Sequence, residues 1–153
     1  MNFSDLIKNK QSQFTQLSEV EISENDIEEV QSYLITSIGI IGQAHIFHLF
    51  TKNGFLHEAL EEFYKIIQDE IDEITEMLLA HYDLSNSGDS YDFQFDFDIN
   101  YLEETIEEYR DYTTEMIELF SDEEGEFENQ SVIGELTEIQ EACDKLLYKA
   151  RMR

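Results

Sequence analysis

The sequence predicts an all-α fold, a four-helix bundle, on three observations. Proline is absent and only six of the 153 residues are glycine, so little interrupts long helices. Four stretches repeat apolar residues at steps of three and four, the period of a helix with one buried face. The longest connection joins the second helix to the third, and a crossover there makes the helix order up-down-down-up.

An N-terminal arm over residues 1–24 precedes a bundle over 25–153. The arm carries Phe3, Leu6, Ile7, Phe14 and Leu17 with Lys8 and Lys10. It reads equally as a docking arm or a frayed end. The first helix starts near Ser23 or Asn25, with Asp26, Glu28 and Glu29 favouring the positive end of its dipole. Its predicted core stripe is Ile27, Val30, Leu34, Ile38 and Ile41, continued by His45 and His48. Asn53-Gly54 ends it, with Gly54 suited to a left-handed cap. The second helix buries Leu56, Leu60, Phe63, Ile67, Ile71, Ile74 and Leu78, with His81 prolonging that stripe. Asp69, Asp72 and Glu76 form a second stripe beside it, with Glu73 close by. So many acids repel one another unless a cation or facing bases intervene.

Tyr91, Phe93, Phe95, Phe97 and Ile99 alternate with polar residues, which predicts a short extended segment within the crossover. An Asp-rich calcium loop there lacks the ordered glycine and glutamate spacing of an EF-hand. The third helix follows Asn100 with a stripe of Leu102, Ile106, Tyr109, Thr113, Met116 and Phe120. An acidic loop spans 121–130. The fourth helix starts near Ser131 with Ile133, Leu136, Ile139, Cys143, Leu146 and Ala150. It ends among Lys145, Lys149, Arg151 and Arg153, as the negative end of a helix dipole favours.

Net charge is −27, from 36 acids against 9 bases. Such an excess repels nucleic-acid phosphates and anionic membrane faces, and attracts cations or basic proteins. A single cysteine, Cys143, excludes an intrachain disulfide and fits a reducing cytoplasm. No apolar run is expected to reach the ~18 residues of a membrane span, and the start lacks the apolar core of a signal peptide. A cytoplasmic protein is the expectation.

Four polar residues stand out for chemistry: His45, His57, Asp72 and Glu76. Imidazole nitrogen with carboxylate oxygen is a ligand set for iron, manganese or zinc. His48 lies one turn from His45 on the same face and is a further candidate ligand or ligand partner. Asp69 and Glu73 are substitutes should the register slip. Asp72 lies 15 residues beyond His57 on one predicted helix, ~22 Å along its axis. Two chains packed antiparallel bring such groups to one ion more readily than one chain does.

The run His48, Thr51-Lys52, His57, Ala59-Leu60, Phe63-Tyr64, Asp72 and Glu76 resembles the Dps-like branch of the ferritin superfamily. It is similar above all to small ferritin-like proteins known mainly from tailed bacteriophages. His57, Asp72 and Glu76 follow His45 at the ligand offsets of Dps-like proteins, 12, 27 and 31 residues. The resemblance covers roughly residues 30–82. It implies a ferritin-like fold and a ferroxidase centre across a two-fold interface. There His45 and His57 come from one subunit and Asp72 and Glu76 from its mate. It also implies iron, as Fe²⁺ and Fe³⁺ or another divalent metal, and a homo-oligomer, a dimer at least and in the family a twelve-subunit shell. Tyr33, Tyr64 and Tyr82 are candidate electron donors. The chain departs from the pattern at Ile46 and Phe50 and lacks a lysine-rich tail, so direct DNA binding is not expected. A rival reading takes the acidic surface as a DNA mimic that occupies the basic groove of a nucleic-acid-binding enzyme. Another keeps the scaffold as an interaction module without metal chemistry.

Overall fold

The computed structural model describes residues 24–84, 92, 96, 98–121 and 127–152. Four helices account for nearly all of them: α1 (Glu24–Phe50), α2 (Gly54–Leu79), α3 (Ile99–Ser121) and α4 (Phe127–Arg151). No strand occurs among the described residues. Residues 1–23 of the expected arm and the aromatic positions Tyr91, Phe93, Phe95 and Phe97 lie outside them, while Glu24 already belongs to α1. Ile99, read from the sequence as the end of an extended segment, is the first residue of α3.

Each helix packs on two others. α1 lies against α2 and α3, and α4 against α2 and α3, around one core. Side-chain bonds fix the directions. Tyr112 donates to the Glu29 carbonyl and Tyr109 to Ser37, so α3 runs against α1. Arg110 pairs with Asp144, and Arg151 with Glu107, so α4 runs against α3. α2 therefore ends beside the start of α1, where Leu78 and Tyr82 meet Ile27 and Val30. Asp98 and Ile99, at the start of α3, sit at the other end beside Phe47 and Lys52.

The α2 stripe from Leu56 to Leu78 and the α3 stripe are buried at every expected position. Each such Leu, Ile, Phe or Met side chain contributes about 1.5–3 kcal/mol relative to exposure. In α4 the expected stripe holds except that Val132 is fully buried and Ile133 only half so.

The first helix differs. Val30, Tyr33, Ser37, Ile40, Ala44 and Phe47 face the core, while Ile38 is 56 % exposed. α1 is apolar on more than one face, so periodicity alone does not choose the buried one. Packing chooses it through a buried hydroxyl network. The Tyr33 hydroxyl bonds Thr113 at 2.9 Å, and Tyr109 donates to Ser37 at 2.7 Å. Tyr33 also stacks on Tyr109 and meets Tyr112 edge-on. These bonds satisfy polar groups that would otherwise cost ~1–3 kcal/mol each in the core. Burial pushes the Tyr33 hydroxyl up to about 12. By length and composition α1 also meets the test of a membrane span, contrary to the sequence expectation. Its core face is nevertheless packed on α2 and α3.

Two local expectations are corrected. Gly54 is not a left-handed cap but the first residue of α2. The N-cap is Asn53, whose side chain accepts from the Phe55 and Leu56 amides. His81 does not continue the core stripe; it lies exposed in the turn after α2.

Candidate metal centre

The connection between α1 and α2 is three residues, 51–53, so the last turn of one helix lies on the first turns of the next. Asn53 fixes that closure by capping α2 at 3.0 and 3.2 Å. His48, in the last turn of α1, thereby meets His57, in the first turns of α2. Their rings stack with centres 3.7 Å apart and planes 28° apart.

The pair is locked reciprocally. His48 Nδ1 lies 2.9 Å from the His57 carbonyl, and His57 Nδ1 lies 2.9 Å from the His48 carbonyl. A carbonyl only accepts, so both Nδ1 atoms carry protons. In the neutral form of each ring this tautomer leaves Nε2 with a bare lone pair, the atom that binds a metal. The His48 carbonyl belongs to the last turn of α1, where the helix itself supplies no donor. His57 satisfies it, which gives the interaction a structural role besides any chemical one.

Glu61 lies one turn beyond His57 on the same face of α2. Ligand atoms of His48, His57 and Glu61 all fall within 4.8 Å of one another. Lys65 pairs with Glu61 at 2.5 Å, and that hydrogen bond holds the Glu61 carboxyl below its usual range. The cluster thus offers two imidazole Nε2 atoms and one ionised carboxylate. His48 is 8 % exposed, while His57 and Glu61 are half-buried. Two nitrogens and one oxygen on a rigid hairpin suit a divalent transition ion such as zinc or iron.

The other predicted ligands are placed differently. His45 is exposed, its ring centre 4.7 Å from Tyr64 and 6.0 Å from His48. Asp72 and Glu76 are exposed and line an open groove of about 490 Å³ with Leu34, Ile38, Ile71 and Leu79. α2 is continuous from Gly54 to Leu79, so these two acids stand ~22 Å or more along its axis from His57. Within one chain the four do not meet. Of the three tyrosines considered as electron donors, Tyr64 touches the site, edge-on to His48 at 5.5 Å. Tyr33 is held in the core network and Tyr82 lies past the far end of α2.

Glu61 was not singled out by the sequence reading. The signal was there: His57 and Glu61 are four apart on one helix, and a three-residue connection must lay His48 against them.

A second cluster, Glu70, Glu73 and Glu135, joins α2 to α4, also with oxygens within 4.8 Å. Burial first, then a hydrogen bond with Glu135, push the Glu70 carboxyl up to about 8. This group keeps its proton at neutral pH. No protein-family model, curated protein or solved structure matches the chain.

Proposed function

We propose that this protein binds a divalent transition metal within one protomer, through His48 Nε2, His57 Nε2 and the Glu61 carboxylate. The observation that carries this reading is the reciprocal pairing of the two imidazoles. It fixes both tautomers with Nε2 free beside an ionised acid. The surrounding charge of −27 concentrates cations near the hairpin. Helix directions, with α2 and α3 parallel and a long connection between them, support placing the site on a ferritin-like scaffold.

Calorimetric titration with Zn²⁺, and with Fe²⁺ under anaerobic conditions, tests the assignment. One ion per chain is expected, with binding lost in His57→Ala. Equal binding by native protein and His57→Ala removes the proposal.

A second reading is favoured by the groove. Asp72 and Glu76 rim an apolar depression on the same α1–α2 face that carries His45, beside Ile38 and Leu79, each more than half exposed. A second copy laid antiparallel on this face would bring the acids of one protomer toward His45 and His57 of the other. That arrangement is the ferroxidase reading, with Fe²⁺ as substrate and peroxide or dioxygen as oxidant. Light scattering with peroxide oxidation tests it. A dimer at micromolar concentration that gains ferric absorbance, and loses it in Asp72→Asn/Glu76→Gln, supports it. A monomer ends it.

A further inference from the structure

We infer that His45 is the fourth ligand of the one-chain site, making it a closed three-nitrogen, one-oxygen centre of the zinc class. This rests on the reading that His48, His57 and Glu61 hold the ion.

The first argument is distance. His45 and His48 are three apart on α1 and share a face, with ring centres 6.0 Å apart. Two imidazoles bound tetrahedrally at ~2.0 Å have centres about 5 Å apart. Side-chain rotation of His45 closes that gap of about 1 Å with the helix unmoved. The stacked His48 and His57 rings, at 3.7 Å, need to splay by a similar amount.

The second argument is freedom. Among the described residues His45 makes ring contacts only, with Tyr64 and His48. No hydrogen bond has to break for it to turn. Tyr64 packs on both histidines, 4.7 Å from one and 5.5 Å from the other, and so keeps His45 on the side of the site.

The third argument is coordination. Three protein ligands leave a position open to water, whereas four close a tetrahedral centre. A closed centre pins the last two turns of α1 to the first two of α2. It has no vacancy for an oxidant, so its role is to hold the hairpin.

Cobalt(II) reads the geometry directly, because four-coordinate Co²⁺ absorbs strongly in the visible and five- or six-coordinate Co²⁺ weakly. His45→Phe keeps a ring against Tyr64 and removes the nitrogens; His45→Gln checks that the result is not peculiar to phenylalanine. The native protein is expected to give the strong four-coordinate spectrum. In both variants water is expected to take the vacated position, which shifts the bands and makes them sensitive to added anions. Co²⁺ is expected to bind about 10–100-fold less tightly, and both should melt like the native chain without metal. A weak spectrum from the native protein, or spectra and affinities unchanged in both variants, overturns the role of His45 while leaving the three-ligand site standing. No Co²⁺ bound by the native protein overturns both.

Discussion

Two clusters on α2 make an instructive pair. His48, His57 and Glu61 sit at its start; Glu70, Glu73 and Glu135 sit further along. Each gathers three potential ligands into the same small span, yet they answer crowding in opposite ways. At the first, two of the three groups are imidazoles and the one carboxylate is paired with Lys65, so no two carboxylates crowd each other. At the second, three like charges are brought together in a chain that already carries −27, and Glu70 retains a proton. Proximity alone therefore does not distinguish a metal centre from a proton-sharing acid cluster. The state in which the fold holds each donor does.

The largest expected effect breaks the pair apart. His57→Ala should lower Zn²⁺ affinity by about 100-fold or more, since it removes one ligand and also the donor to the His48 carbonyl that ties the two helix ends together. Glu73→Gln should leave that affinity within about twofold. Calorimetry on both variants reads the contrast, and a comparable loss in Glu73→Gln would mean that the acid cluster is the true site. Glu61→Gln should cost about tenfold, because the amide oxygen is a weaker ligand than a carboxylate. Lys65→Met should act in the other direction. Lys65 competes with an ion for Glu61, and an exposed pair of that kind is weak, so the expected gain is about two- to fivefold.

The sequence carried the scaffold further than the site, and the reason is physical. In α2 and α3 one face is apolar and the other charged, so the period alone identifies which residues are buried. α1 is apolar on several faces. There the choice depends on Tyr33 and Ser37 finding Tyr109 and Thr113 on a helix some 70 residues away, information that no local pattern holds. The site suffered from the same error. Reading Ile38 as core put His45 with His48 on the buried side, whereas Leu34 and Ile41 pack partly buried against the core, Ile38 and His45 are exposed and His48 is buried. Asp72 and Glu76 were correctly kept apart from the histidines by helix length alone. Whether a second copy reunites them depends on a surface, and a surface records no partner in a single chain's periodicity.

The smallest expected effect sharpens the comparison from the acidic side. Glu70 holds its proton in the fold up to about pH 8, whereas in the unfolded chain it releases it near pH 4.5. Between those values the folded state binds more protons, so stability falls as pH rises through this window and levels off above it. Glu70→Gln keeps the shape and cannot ionise, so it should remove this share of the pH dependence. Glu70 remains partly open to solvent, and screening there returns much less than the full shift. The expected gain at pH 8.5 is therefore about 0.5–1 kcal/mol, or ~1–3 °C in melting temperature. At pH 4 native and variant should melt together. Melting curves across pH 4–9 make the check. A variant that loses stability at pH 8.5 would show that Glu70 works there as a charged ligand or ion-pair partner, and that the two clusters are alike after all.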